Sequence, residues 1–413
     1  MQVLIIGGGA AGCIAAGAAA RQGHTVTVLE RNPRPARKVM ITGKGRCNLT
    51  NNCSIEEFIA HVPENGRFLY SALTAFTPQD MMALIEAQGV PLKTERGNRV
   101  FPCSDKAVDI VDALVRYARC PGEPSGARFV QGRAVQLELT GGACTGVQLE
   151  DGTRLAADRV IIATGGCSYP GTGSTGDGYT LAQQAGHTIV PPRPSLVALE
   201  SPDTFCPELQ GLSLKNCGLR VEDTATGKTL YTDLGEMLFT HFGVSGPMVL
   251  SASAHMRQMA PKRYTLWIDW KPGLTPEQLD ARLLRDLGER ANMDMSNALG
   301  KLLPRLLIPV ILRLALITPE RKCHDLTREE RRRLCALIKA MPVRISGFRP
   351  ISEAIVTAGG VSVRQVNSRT MASRLVPQLR FAGEVLDIDA YTGGFNLQIA
   401  FSTGMAAGSH IAE

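Results

Sequence analysis

Val3-Leu-Ile-Ile6 runs straight into Gly7-x-Gly9-x-x-Gly12, and this junction constrains the fold more than any other part of the 413-residue chain. A short apolar run, a glycine turn, the small-residue run 10–22 and the β-branched run 25–29 predict strand, tight turn, helix and strand within thirty residues. The first glycine permits the turn, the second lets backbone approach a pyrophosphate, and the third lets the helix pack closely on the strand. Free N–H groups and partial positive charge at the helix start suit a phosphate. Glu30 closes the second strand, where a carboxylate accepts hydrogen bonds from ribose hydroxyls. The set predicts a dinucleotide fold.

Two later glycine turns specify which dinucleotide. A strand at 159–163 enters Thr164-Gly165-Gly166 and then "TGSTGDGY". A strand at 378–382 leads into Gly383, an acidic turn, and Gly393-Gly394 at the start of a helix over 396–412. A helix N-terminus placed there stabilises negative charge on a reduced flavin. Three such elements in this order resemble those of two-dinucleotide-fold FAD proteins, and the resemblance implies FAD. Between them lies "KVMITGKGRCNLTNN", Lys38 to Asn52. It is not a P-loop, because GxxxxGK[ST] needs glycine at 38 and Ser or Thr at 45, where Lys38 and Gly45 stand. Lys38, Arg46 and the loop N–H groups predict a cradle for the pyrophosphate or the flavin edge, with residues 42–48 running along the isoalloxazine.

Five stretches carry a family resemblance: "GKGRCNLTN", "RVFPCSDKA" (99–107), "ATGGCSYPGTGSTGDGY", "FTHFGVSGPMVLSAS" (239–253) and the long run from "EAIVTAGG" to "NLQIAFSTG". In combination they resemble the BaiN/RdsA-like (YhiN-type) FAD-dependent oxidoreductases, also labelled aminoacetone-oxidase-family FAD-binding enzymes. The resemblance implies an α/β fold: a two-dinucleotide-fold-type FAD (Rossmann-like) domain with an inserted β domain and a small helical subdomain. The expected boundaries are 1–192 and 346–413 for the FAD domain, 193–273 for the β-rich insert and 274–345 for a basic helical piece. The resemblance also implies three chemistries: reduction of uridine to dihydrouridine in ribosomal RNA, reduction of steroid-like enones, and oxidation of a small aminoketone with O2. A family name does not choose among them. The first expectation is a reductase of an activated C=C bond. NAD(P)H would be a transient electron donor docking over the flavin, since no second GxGxxG announces a nicotinamide domain.

The expected cofactor-binding residues are Gly7, Gly9, Ala10, Ala11, Gly12, Glu30, Arg31, Lys38, Thr42, Gly43, Gly45, Arg46, Cys47, Asn48, Val135, Thr164, Gly165, Gly383, Glu384, Asp387, Gly394, Phe395, Asn396 and Leu397. Cys47 and His241 are the candidate catalytic groups. A thiol of pKa ~8.5 suits proton donation; Cys47 reads more readily as a small residue packed under the flavin. His241 sits between aromatics before a Ser-Gly-Pro turn and reads either as functional or as structural. No Ser–His–Asp arrangement is legible, so hydrolase chemistry has no support.

Composition bounds the rest. Eleven scattered cysteines without CxxC or a Cys/His cluster support neither zinc nor a disulfide framework, and imply reduced thiols in a cytoplasm. The chain opens directly on a strand, without the charged start of a signal peptide. The longest apolar run, 302–317, holds Arg305, Arg313, Pro304 and Pro309 and is too short to span a bilayer. The net charge of +7 is uneven: residues 257–349 hold 19 Lys/Arg against 10 Asp/Glu, and the remainder 26 against 28. The basic 319–349 segment reads as a contact for RNA phosphates, for an acidic partner, or as a solvated face of ion pairs. Residues 319–347 lack the aromatic interleaving that base stacking uses.

Overall fold

Five parallel strands form the central sheet of the computed structural model, which describes residues 1–120 and 126–413. Their order is Leu379–Phe381, Arg159–Ile162, Gln2–Ile6, Thr25–Glu30, Arg128–Gln131. The inner strands are almost wholly buried apolar runs, as expected of a sheet covered on both faces. Strand order reverses at Gln2–Ile6, so a crevice opens at the carboxyl ends of Gln2–Ile6 and Arg159–Ile162. Both expected glycine turns leave from those two ends. The chain divides into two units, Met1–Ser195 with Pro350–Glu413, and Leu196–Arg349.

Within the first unit the helix Ala10–Arg21 follows Gly9, and the helix Phe395–Ser409 follows Gly394. These two helices touch backbone to backbone. A Cβ on Gly404 would lie 2.4 Å from the Ala11 carbonyl oxygen, and one on Gly408 would lie 2.3 Å from that of Ala15. Both contacts advance four residues in the same direction, so the helices run parallel. Gly12 is equally tight, with its missing Cβ 1.9 Å from the Gly7 oxygen. Gly7 itself has φ 102°, which the turn after the first strand requires. A three-stranded antiparallel sheet (Ala134–Thr140, Ala143–Leu149, Arg154–Ala156) turns at Glu150-Asp-Gly-Thr153, and another joins Thr50–Asn51, Arg99–Pro102 and Leu92–Glu95.

The second unit holds both the strand-rich and the helical stretches of the middle of the chain. Its sheet runs Met341–Ile345, Tyr264–Asp269, Ser213–Asp223, Lys228–Thr240, Gly243–Ser245, Leu199–Glu200, Gly347–Phe348. The first and last members are one run of chain interrupted only at Ser346. The Ile345 carbonyl accepts from the Lys262 N–H on one side, while the Ser346 N–H donates to the Glu200 carbonyl on the other. The sheet therefore closes into a six-stranded antiparallel barrel without a free edge. Leu219, Val221, Phe239, Leu266, Ile268, Val343 and Ile345 are buried in it. Helices Pro276–Gly288 and Arg328–Lys339 start at capping boxes, with Thr275 and Thr327 as N-caps. Among the described residues no helix is long and apolar enough to cross a membrane.

Gly404→Val places two methyl groups where the Ala11 backbone lies. It is expected to cost about 3 kcal/mol or more and to lower the thermal midpoint of the first unit by several degrees, read by calorimetry. A midpoint unchanged within 1 °C (roughly 0.5 kcal/mol or less) would show that the helices need not touch.

Candidate functional site

The helices Ala10–Arg21 and Phe395–Ser409 each follow a glycine N-cap that has no side chain to cap the first turn, and neither first turn holds an acid. A Cβ on Gly9 would meet nothing within 4 Å, so the space above the first helix is open. Such an end offers N–H groups and a partial positive charge to an anion. Counting from the Ala11–Gly404 contact, the C-terminal helix starts eight residues further out than the first. At 1.5 Å per residue the two positive ends are offset by about 12 Å along their common direction.

Glu30 closes the second strand and is 9% exposed. Its Oε2 accepts from the Gly8 N–H at 2.8 Å, and its Oε1 accepts from the Asn32 N–H and Nδ2, both at 2.8 Å. The carboxylate thus braces the glycine turn and retains one free lone pair on Oε2. Arg31 donates to Thr175 and pairs with Asp177 at 3.2 Å. Arg133 grips the same Asp177 with Nε at 2.9 Å and Nη2 at 3.0 Å. Burial works to raise the Asp177 carboxyl, but hydrogen bonds from Arg133 and Thr175 outweigh it and hold the group below the ordinary carboxylate range. Sequence reading missed Asp177 as an organiser, although it stands inside the quoted "TGSTGDGY".

The 42–52 loop fastens the second helix start. The Asn48 side-chain oxygen, with the amide turned to satisfy both its ends, accepts from the Gly394 N–H at 3.1 Å. Asn51 Nδ2 donates to the Gly393 carbonyl at 3.1 Å, and Thr50 Oγ1 donates to Gln398 Oε1 at 2.7 Å. A Cβ on Gly394 would collide with the Thr50 carbonyl at 2.4 Å. His61 stacks on Phe395, centroids 4.6 Å apart, and the Asn396 amide closes the 390–391 turn. Gly43, Gly45, Asn48, Gly394, Phe395, Asn396 and Leu397 therefore share one neighbourhood. Gly7, Gly9, Ala10, Ala11, Gly12, Thr164, Gly165 and Gly383 share the other, with Gly7 against Thr164 and Gly383 against Ala11. Asp387 accepts from Asn65 Nδ2 through its carbonyl at 2.7 Å. Val135 lies on the three-stranded sheet, 38% exposed.

Three of the expected residues have side chains engaged within the fold. Arg46, expected to meet the pyrophosphate or the flavin edge, gives its guanidinium to Asp105 (2.8 Å from Nε) and Glu95, and stacks over Phe101 at 4.1 Å. Hydrogen bonds to Glu95 and then Asp105 raise its pKa further. Lys38, with the same expectation, donates to Ser168 Oγ and Glu384 Oε2, each at 2.6 Å. Cys47, the candidate acid, is 0% exposed. Burial pushes its thiol up to about 12, partly offset by Thr42. A side chain with no accessible surface has none to offer a substrate, which favours the packing role for Cys47. It also occupies φ +59°, a backbone conformation that shapes the loop. His241 is exposed on the turn before Gly243–Ser245 of the second unit.

With this geometry in hand, comparison with known proteins identifies the lineage. Residues 1–410 match the HI0933-like protein Rossmann domain family. The chain belongs to that family. It is 32% identical to the ribosomal RNA dihydrouridine synthase of Escherichia coli (strain K12), over 98% of this chain and 96% of that protein. It is 31% identical to the 3-dehydro-bile acid delta(4,6)-reductase of Clostridium scindens, over 100% and 99%. Among solved structures, the Mycobacterium smegmatis Sdh1 complex in the apo form shares the fold, with TM-score 0.50 and 18% identity over 98% of this chain and 67% of that one. The chain is an oxidoreductase of this family, α/β in class, with a Rossmann-type FAD-binding domain.

The thiols give a test by pH. Cys13, Cys47 and Cys217 are each pushed up to about 12, first by burial. In the unfolded chain they lose protons near 9, so above that pH the folded state binds more protons and stability falls as pH rises. Between pH 9 and 10.5 the urea-unfolding free energy is expected to fall, and in Cys47→Ala to fall less steeply, by about 1.4 kcal/mol per pH unit. Equal slopes would mean that Cys47 ionises in the fold.

Proposed function

We propose that this chain uses FAD to reduce an activated C=C bond with electrons from NAD(P)H, and that its substrate is uridine in ribosomal RNA. The observation that carries the reading is the pair of parallel, glycine-capped helix starts at the switch-point crevice, one under open space at Gly9 and the other held by the 42–52 loop. Their donors fit a pyrophosphate at Gly9, Ala10 and Ala11, and an electron-rich ring edge at Phe395 and Asn396, the Gly394 N–H being held by Asn48. Bound there, FAD would supply hydride transfer to the substrate. The residues of this chain would hold and orient it: Glu30 would offer a lone pair to a ribose hydroxyl, Thr42 to Asn48 would border the ring, and the second helix start would steady negative charge.

Two full-length relatives support the choice of reaction, one named for making dihydrouridine in ribosomal RNA and one for reducing a bile acid. The second name keeps a small conjugated ketone as the other reading. One observation favours it: most basic charge of 319–349 is already neutralised. Arg321, Lys322, Arg331, Arg333, Lys339, Arg344 and Arg349 each pair with a carboxylate. Arg328 and Arg332, exposed one turn apart on the helix Arg328–Lys339, are the cations left for RNA.

Anaerobic stopped-flow separates the readings. NADPH is expected to bleach the flavin, and a uridine-containing ribosomal RNA fragment to restore its colour. Restoration by an enone and not by RNA would move the substrate to the small ketone. An aminoketone bleaching a flavin that NADPH leaves oxidised would replace the reductase with an oxidase. For the RNA reading, Arg328→Ala/Arg332→Ala should flatten the slope of log affinity against log salt by about 1.5. An unchanged slope removes the helix from the interface.

A further inference from the structure

The imidazole of His61 is held from several sides and left open at one nitrogen. His61 follows the helix Ile55–Ala60, whose N-cap Ser54 accepts from the Glu57 N–H at 3.2 Å. Its Nδ1 lies 2.7 Å from the Glu57 carbonyl oxygen. A carbonyl only accepts, so Nδ1 carries a hydrogen in both charge states of the ring, and the proton that comes and goes is the one on Nε2. The ring stacks on Phe395, the first residue of the helix Phe395–Ser409, with centroids 4.6 Å apart and planes at 10°. Its edge meets the Tyr391 ring at 5.3 Å and 85°. The backbone is tied at the same point, where the His61 carbonyl accepts from the Tyr391 N–H at 3.0 Å. Phe58, fully buried, packs edge-on against Phe395 at 5.0 Å and fixes the surface on which the imidazole lies. Among the described residues Nε2 has no hydrogen-bond partner, and His61 is half-buried, so that nitrogen is reachable while the ring is not free to swing.

We propose that His61 is the general acid of the reduction and delivers its Nε2 proton to the substrate carbon that does not receive hydride. This rests on the function proposed above, which sets an electron-rich ring edge at the Phe395 and Asn396 N–H groups. His61 stacks on the side chain of that same Phe395, so its imidazole is fixed beside the helix start where the reaction would gather negative charge. Reducing a C=C bond adds hydride to one carbon and leaves the electron pair of the broken π bond for the other. That pair takes the Nε2 proton: an N–H bond breaks, a C–H bond forms, and the imidazolium becomes neutral. NAD(P)H supplies the two electrons overall, and solvent returns the proton to the accessible nitrogen. The charged groups on the elements packed around the ring are Glu56 and Glu57 on its own helix, Glu64 and Arg67 in the turns that follow, and Asp387 and Asp389 before Tyr391. Glu64 pairs with Arg193 at 3.7 Å, Asp387 accepts from Asn65, and Asp389 accepts from Ser195. Of these side-chain types only histidine changes charge between pH 5 and 8 when unperturbed.

Anaerobic stopped-flow on the holoprotein separates the two half-reactions. NADPH reduces the enzyme first; a uridine-containing ribosomal RNA fragment, and in parallel a conjugated enone, is then tried as the oxidant. His61→Phe keeps an aromatic ring on Phe395 and removes the proton. It is expected to retain FAD and to be reduced by NADPH within about twofold of the wild-type rate, while reoxidation by substrate slows about a hundredfold, the usual range for a general acid. In wild type the reoxidation rate should fall as pH rises, because the acid must be protonated, and His61→Phe should lose that limb. His61→Gln, whose amide still donates to the Glu57 carbonyl, is read in its place if His61→Phe does not fold. Reoxidation of the variant at the wild-type rate with an unchanged limb makes His61 a cover for Phe395 and overturns the proposal. Loss of FAD from the folded variant, or equal slowing of both half-reactions, does the same, since packing alone would cause either. A wild-type flavin that NADPH reduces and that neither RNA nor enone reoxidises overturns the underlying reading instead, and is read before any variant.

Discussion

The backbone contact between the helices Ala10–Arg21 and Phe395–Ser409 is the constraint on which the first unit depends. Gly404 and Gly408 admit the Ala11 and Ala15 carbonyls where any side chain would intrude. The contact joins the two ends of the chain and sets two macrodipoles parallel. Parallel dipoles repel, so the arrangement is retained against an electrostatic cost that an anionic ligand reverses. The helices also cannot slide. Thr403 Oγ1 accepts from the Gly383 N–H at 2.9 Å, and Gln398 and Ser402 both donate to the Phe76 carbonyl. A fixed contact fixes the offset between the two positive ends, and with it the length of ligand that both can hold.

Much of this first unit was legible in the sequence because its information is local. Each glycine turn follows a strand and opens a helix or loop within a few residues, and each strand is a short apolar run with little freedom of register. The parallel order of the five strands then follows from right-handed crossovers. The capping boxes at Thr275 and Thr327 were legible for the same reason, since N-cap and N3 are three residues apart. The barrel of the second unit was not. Its closure depends on 341–348 pairing with 264–269 along one edge and with 199–200 along the other. No periodicity within a strand specifies its partners. The short bridge at Leu199–Glu200, two residues long, carries no sequence signal of its own.

The site shows a second kind of illegibility. Which residues surround the crevice could be read from motifs; what their charges are committed to could not. Arg46 finds Glu95 and Asp105, 49 and 59 residues later in the chain, and Lys38 finds Glu384, 346 residues later. Each pairing is set by tertiary folding and is invisible to a reading of the loop alone. The burial of Cys47 belongs to the same class: its thiol is enclosed by a core that the loop sequence does not describe.

These pairings change what kind of anion site the loop makes. Of the three cations within residues 38–46, two are held by carboxylates, and among the described residues Lys44 is exposed without an ion pair. Attraction for a diphosphate then falls chiefly to N–H groups at the first helix start and to its dipole, both fixed before the ligand arrives. Donors of this kind need no side-chain ordering on binding, whereas an unpaired lysine would lose ~2 kcal/mol of rotamer freedom. The carboxylates that neutralise Lys38 and Arg46 therefore do not weaken the site by their presence. They leave its selectivity to geometry, so that a ligand is accepted for the spacing of its anionic and electron-rich parts rather than for charge alone, which a free nucleotide diphosphate would also satisfy.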